Sequence, residues 1–169
     1  RPPRRLRVAL CDTTFTGEAI DPEVRAAVLD TAKLLESLGH EVTPALPRAD
    51  VRGMMRAWTD IVAVGTALGI RHALDGRPLS DALVEGVSRG ACAHAETLHP
   101  TRYLEAVGKI HAFGREMARF FAPETGPGHD ILLSATLAEP PAKVGRFSHA
   151  TEDYVAFRTG PGGIFAYSP

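Results

Sequence analysis

The sequence has 169 residues, 44% of them hydrophobic and 23% charged, with a formal net charge of −1. That suits one domain able to bury a core without metals or disulfides. With 20 acidic against 19 basic residues, there is no cationic excess to neutralise phosphates, which excludes nucleic acid as an expected partner. No apolar run approaches the roughly 20 residues of a membrane span, and Arg1-Pro2-Pro3-Arg4-Arg5 lacks the apolar stretch of a signal peptide. Cys11 and Cys92 are too few and too far apart for a disulfide framework, so reduced thiols in a cytoplasmic protein are expected. Only Lys33, Lys109 and Lys143 are lysine, and the text from Gly160 to Pro169 is glycine-rich and apolar, unlike the usual polar terminus.

Leu6-Arg7-Val8-Ala9-Leu10 alternates and then runs apolar into Cys11, the pattern of a strand with one face strongly buried. Thr13 to Gly17 is a loop. Asp21-Pro22-Glu23 starts a helix: the Asp accepts from orphan N–H groups, Pro suits the first turn, and Glu faces the positive end of the dipole. Val24, Val28, Thr31, Leu35 and Leu38, with Ala27 and Leu34 beside them, form its expected apolar stripe, and Gly39 ends it. His40 to Thr43 is a second strand. Together these residues predict a βαβ unit over 6–46 with parallel strands and a right-handed crossover.

From Val51 the pattern is helical, and Val51, Met54, Met55, Trp58, Ile61, Val62, Gly65, Leu68, Gly69 and His72 are predicted to share its buried face. Asp75-Gly76-Arg77-Pro78 breaks it. Ser80-Asp81 is expected to cap a shorter helix carrying Leu83, Val84 and Val87 and ending near Gly90. A longer helix follows Pro100, burying Tyr103, Val107, Ile110, Gly114, Met117 and Phe121, and stops at Pro123 and Gly126-Pro127-Gly128. Ile131-Leu132-Leu133 predicts a buried strand. Beyond Pro141 the chain is expected to be irregular, with one helical turn near Thr151 to Tyr154.

The loop after the first strand holds only Gly17 and no GxGxxG, so a pyrophosphate has no cradle there. Cys92, His94, Glu96 and His99 lie within eight residues. They lack both HExxH and a paired CxxC, so the expectation is no metal and a helix-to-helix connector with two solvated histidines and a half-buried thiol. No GxSxG elbow appears. Cys11 ends a strand, where a buried cysteine serves mostly as a small hydrophobe. Ser134 and Thr136 follow a strand, where crevices form. The carboxylate pairs Asp12 with Glu18 and Glu152 with Asp153 are expected to be solvated. Trp58, by residue type alone, belongs to a core more often than to a pocket. No complete catalytic constellation is visible.

Several stretches, taken in order, resemble the amidase signature family of amide-bond hydrolases. They are Leu6 to Leu10, Asp21-Pro22-Glu23-Val24-Arg25-Ala26-Ala27-Val28, Leu34-Leu35-Glu36-Ser37-Leu38-Gly39-His40-Glu41-Val42, and Tyr103-Leu104-Glu105-Ala106. The last marker is Asp130-Ile131-Leu132-Leu133-Ser134-Ala135-Thr136, where Ala135 replaces the family's usual proline, and Phe165 to Pro169 resembles the lead-in to a following sheet segment. The resemblance implies an α/β fold: a βαβ unit, a helical segment and a further buried strand, all part of a mixed sheet flanked by helices. Residues 1–169 would then be an incomplete, carboxyl-side portion of one amidase-type domain. Within it, 51–122 would be a helical cavity wall and 130–169 a strand with an irregular tail.

The family's mechanism uses a serine nucleophile, a second serine on a cis peptide and a lysine base. No two serines here are adjacent and none of the three lysines has the family's context, so the resemblance carries over no catalytic residue. It implies that this portion alone is inactive and that the full enzyme hydrolyses a small-molecule amide through a serine acyl-enzyme, without cofactor, leaving a homodimer open. Trp58, Ser134 and Thr136 are the expected substrate-binding wall residues. Two other functions remain open: a non-catalytic interaction module whose apolar end docks a partner, and a glutamyl-tRNA amidotransferase-like subunit of the same family.

Overall fold

A computed structural model describes residues 4–81, 83–122, 124 and 128–166. They cluster into two compact units, one drawn from residues 1–51 and 112–142, the other from Arg52–His111 and Lys143–Ala166. Pro123, Gly126 and Pro127 of the expected helix stop, and Tyr167 to Pro169 of the expected sheet lead-in, lie outside the described residues.

The first unit is built on β1 (Arg7–Cys11), α1 (Pro22–Ser37), β2 (Glu41–Pro44) and, much later, β3 (Ile131–Ser134). The sheet order is β2-β1-β3 and both pairings are parallel, with Val8 opposite Val42 on one side and Ile131 on the other. As the central strand, β1 is covered on both faces: Val8 and Ala9 are fully buried. That exceeds the single buried face expected, and it follows from the helical crossover a parallel pair requires. The flanking strands fare differently. Ile131, expected in a buried strand, is 38% exposed; among the described residues β3 pairs on one side only.

Helix α1 begins as its sequence dictates. The Asp21 carboxylate accepts from the Glu23 N–H at 2.8 Å, Pro22 occupies the first turn, and Gly39 takes the left-handed conformation (φ +88°) that ends the helix. Its stripe differs from expectation. Val24, Val28, Ala32 and Leu35 turn inward, while Thr31, Leu34 and Leu38 are exposed. The Thr31 hydroxyl instead donates to the Ala27 carbonyl. Val28 packs with Ile20, Ala135 and Ala138 against Leu10 and Leu133.

Asp130 fastens β3 to β1. Its carboxylate accepts from the Arg7 backbone N–H at 2.8 Å and from the Arg4 guanidinium at 2.9 Å, and its own N–H donates to the Arg7 carbonyl. The Arg7 N–H first, then the Arg7 side chain, hold its carboxyl down at about 2.

The second unit contains α2 (Val51–Leu74, from Arg52 onward), α3 (Gly86–Thr97), α4 (Pro100–Phe121, up to His111) and α5 (Tyr154–Thr159). Three expectations are corrected here. First, α2 turns the other way: Ala57, Thr59, Asp60, Ala63 and Leu74 are buried, whereas Gly65, Gly69 and His72 are exposed, Trp58 is 45% exposed and Leu68 48%. Both faces are apolar enough to be buried, and the small one wins because it admits closer neighbours. Second, Leu79–Asp81 forms only a 3-10 turn, Leu83 is fully exposed, and the helix starts at Gly86 and runs on through the residues expected as a connector. Third, the α5 turn starts at Tyr154 rather than before it, with Asp153 capping through the Ala156 N–H. On α4, Ala106 and Phe120 are buried, while Tyr103 and Gly114 of the expected face are exposed.

The core of this unit is Ala63, Ala91 and Tyr154 with Val87 and Ala95 against them. Close approach is built into α3. A Cβ at Gly90 would lie 2.1 Å from the Glu152 carbonyl oxygen, and one at Gly86 would lie 2.3 Å from that of Ala150. The Val87 N–H donates to the His149 carbonyl at 3.0 Å. Among the described residues no helix is long and apolar enough to cross a membrane.

Two measurements check this account. Gly90→Ala should destabilise the protein by about 1–3 kcal/mol, seen as a lowered thermal midpoint, because backbone rather than a flexible side chain must move. For Asp130 the folded value lies below the ordinary 3.8, so its contribution is full above pH ~4 and lost as pH falls towards 2. Asp130→Asn should flatten the acid limb of a stability–pH curve in that window while lowering stability at pH 7.

Candidate functional site

The three expected wall residues fall into separate units. Ser134 closes β3, half-buried, in register with Cys11 of β1, and Thr136 is exposed two residues beyond. Because strand order reverses at β1, the carboxyl ends of β1 and β3 form the kind of switch point where open parallel sheets take ligands. Cys11 is buried there, its thiol directed to the Thr13 carbonyl at 3.4 Å. Nearby, the Thr14 and Thr16 hydroxyls bond the Glu18 carboxylate, and Asp12 pairs with Arg25, so these acids are engaged rather than simply solvated. Trp58 belongs to the second unit, on the exposed face of α2.

His129, ahead of β3, is buried with its Nε2 3.3 Å from the Thr43 hydroxyl and its ring stacked on Phe120 at 4.9 Å. Its Nδ1 has no partner among the described residues.

The most developed polar cluster centres on Asp60, whose side chain is 7% exposed. One carboxylate oxygen lies 2.9 Å from His94 Nε2 and the other accepts from Arg102 Nε at 2.9 Å. Both partners come from other helices, α3 and α4. The bond to Asp60 raises the already high Arg102 value further. One residue earlier, the Thr59 carbonyl accepts from the Tyr154 hydroxyl at 2.9 Å, and the Thr59 hydroxyl lies 3.4 Å from Arg158 Nε while donating to the Met55 carbonyl. Burial, ahead of the neighbouring charges, pushes the Tyr154 phenol up, and burial pulls Arg158 down. Arg158 lies over the Tyr154 and Phe165 rings at 5.6 and 4.8 Å.

Chemically this is a clasp. Each oxygen of Asp60 is held by a side chain from another helix, and among the described residues no hydroxyl bonds to either, so the arrangement fixes helices. A void of about 10 Å³ between Asp60, Arg102, Glu105 and Lys109 has the size and polar partners for one water. The residues once grouped by spacing as metal donors are drawn apart. His94 goes to Asp60, His99 Nδ1 pairs with the Thr101 hydroxyl, and Cys92 is buried rather than half-buried. Among the described residues no group of His, Cys, Asp or Glu could hold a metal. Glu152 pairs with Arg89.

The clasp escapes a reading by spacing because its partners are 34 and 42 residues from Asp60. One signal was present: Asp60 is the lone charge in the run Ala57-Trp58-Thr59-Asp60-Ile61-Val62-Ala63-Val64, and an acid so placed needs a partner.

A parallel sheet with helical crossovers in one unit, and helices joined through the buried Asp60 carboxylate in the other, define an α/β scaffold. The Amidase family model matches residues 1–160, and the chain belongs to that family. It is 31% identical over 147 residues to AmiC of Mycobacterium tuberculosis (strain ATCC 25618 / H37Rv), a protein that carries the name of an amidase. That match covers 84% of this chain and 29% of AmiC. The Mycobacterium leprae AmiC is 29% identical over 149 residues, with the same coverage. A solved structure of 6-aminohexanoate cyclic dimer hydrolase in complex with substrate superposes with a TM-score of 0.81 at 27% identity, covering 95% of this chain and 34% of that one. The chain thus spans about a third of the length of these relatives.

Asp60→Ala should leave the Arg102 guanidinium and the His94 imidazole without their shared partner. Because Arg102 and His94 reach solvent (48% and 22% exposed), the expected loss is about 2–3 kcal/mol, the low side for a broken buried pair. Chemical denaturation of the purified variant checks it.

Proposed function

We propose that this chain is the carboxyl-side portion of an amidase that hydrolyses a carboxamide C–N bond to an acid and ammonia or an amine through a serine acyl-enzyme. The nucleophile, the bridging serine and the lysine base would be supplied outside these residues. The observation that carries the reading is the Amidase match over residues 1–160. The lysines support the second half of it. A lysine base must be neutral enough to accept a proton, which requires burial or a neighbouring cation. Lys33 is instead exposed and bonded to Asp30 at 2.9 Å, which raises its value, and Lys109 and Lys143 are exposed. The six serines, at positions 37, 80, 88, 134, 148 and 168, include no adjacent pair.

On this reading residues 51–122 and the β3 end help wall the substrate cavity, with Trp58, Ser134 and Thr136 as its contact residues. Trp58 is the strongest of the three. Its ring is 45% exposed although the turn that carries it is pinned through Thr59 and Asp60, so the helix presents a large apolar surface from a fixed position. The expected setting is cytoplasmic, with a small-molecule amide as the only required partner.

In the complete enzyme, Trp58→Ala should change the ratio of kcat/KM between two amides of different bulk by about tenfold, with a thermal midpoint close to the parent's, since a half-exposed ring contributes little to the core. An unchanged ratio across linear and cyclic amides removes Trp58 from the wall. For the chain by itself, amide turnover that survives repurification would overturn the assignment of catalysis to residues outside it.

A further inference from the structure

The second unit has a cleft that the amide-hydrolysis reading does not use. It lies where the carboxyl end of α2, the turn that follows it and α3 come together, and encloses about 290 Å³. Its floor is apolar: Ala67, Ile70 and Leu74 from α2, Leu79 from the 3-10 turn, and the buried thiol of Cys92. Its rim is charged, with Arg71 and Arg77 against Glu96.

The turn builds this rim. Asp75 and Gly76 both adopt left-handed conformations (φ +47° and +83°), which folds the chain back so that the Arg77 guanidinium donates to the Leu74 carbonyl at 3.0 Å and the Ala73 carbonyl at 3.4 Å. Arg77 thereby satisfies the last carbonyls of α2 and is held in one place. Arg71 has a different status. Among the described residues it makes no ion pair and no side-chain hydrogen bond, yet it is close enough to the Cys92 thiol, as is Glu96, to act on it electrostatically. Two guanidiniums against one carboxylate leave the rim net positive above an apolar floor.

We propose that this cleft binds a small aliphatic monocarboxylate, its carboxylate on Arg71 and its alkyl chain over Ile70, Leu74 and Leu79. An unpaired guanidinium is pre-shaped for two parallel bonds to a carboxylate. The volume is at the low end for a ligand pocket, which limits the chain to about six to eight carbons. Cys92 at the floor is a reporter rather than a nucleophile. Burial first, and then the Glu96 charge, push its thiol up, which disfavours the thiolate that reacts.

The test uses the complete protein containing this chain, in a Cys11→Ala background for labelling, with hexanoate as the probe and hexanamide as its uncharged match. Calorimetry should show saturable hexanoate binding that weakens about tenfold or more in Arg71→Gln and is lost in Ala67→Phe, which fills the floor. Hexanoate should also slow labelling of Cys92, identified by peptide mapping, by a small thiol reagent several-fold in the parent and not in Ala67→Phe. Absence of saturable binding by the folded parent overturns the proposal, as does equal binding of hexanamide or undiminished binding in Arg71→Gln. Arg71 is exposed and Ala67 half-buried, so the two variants are unlike in their demands on folding, and circular dichroism shows whether each reports on binding. The proposal stands or falls without reference to amide turnover.

Discussion

Where α3 passes the segment leading into α5, there is no room for a methyl group: the carbonyls of Ala150 and Glu152 occupy the space a side chain would take at Gly86 and Gly90. The same economy governs both units. Val8 is the largest side chain that is fully buried, and the rest of the tightly buried set is dominated by alanines: Ala9, Ala32, Ala57, Ala63, Ala91 and Ala106. Cores made this way gain stability from backbone proximity and dense dispersion contacts rather than from large apolar area. Their cost is specificity, because alanine fits against almost anything. Something else must choose one arrangement.

Carboxylates with distant partners make that choice. Asp130 ties the start of β3 to β1 across more than a hundred residues of chain, engaging Arg7 through both backbone and side chain. Asp60 does the same within the helical unit, taking one partner from each of two helices, while Tyr154 fixes α5 to the adjacent Thr59 carbonyl. Neither acid tolerates a shifted register, since a helix rotated by one residue would bury the charge without its partner. Small residues let the elements approach, and the acids dictate how they do so.

This division explains what could be inferred from the sequence. The β1-α1-β2 unit was legible because its signals are local: alternation at Leu6 to Leu10, the Asp21 cap and the Gly39 stop act within a few residues of where they sit. The helix spans of α2 and α4 were legible for the same reason. The buried face of α2 was not. Leu68 and the methionines exceed Ala57 and Ala63 in hydropathy, and Trp58 exceeds them in apolar area, but the small face allows closer neighbours and carries the charge that the clasp needs. The start of α3 was misplaced because Ser80-Asp81 is a good cap by composition, yet it initiates only a 3-10 turn, while Gly86 begins the helix with no side-chain cap. Gly86 is dictated by a contact to Ala150, which nothing within one helix's length reveals. Of the expected wall residues, the strand-end positions Ser134 and Thr136 follow from local pattern, and Trp58 from the resemblance.

The sheet positions are constrained on both sides: β1 has a partner strand at each edge and buried residues on each face, so substitution there is costly. The outward face of α2 carries no such restriction. A Cβ at Gly65 or Gly69 meets nothing within 4 Å, and Trp58 and Leu68 are both nearly half exposed. The residues of α2 that hold the helix in place and those that stay exposed therefore alternate along the same turns, Thr59 and Asp60 next to Trp58. Because the clasp holds the backbone, the exposed side chain beside it can change without moving the helix.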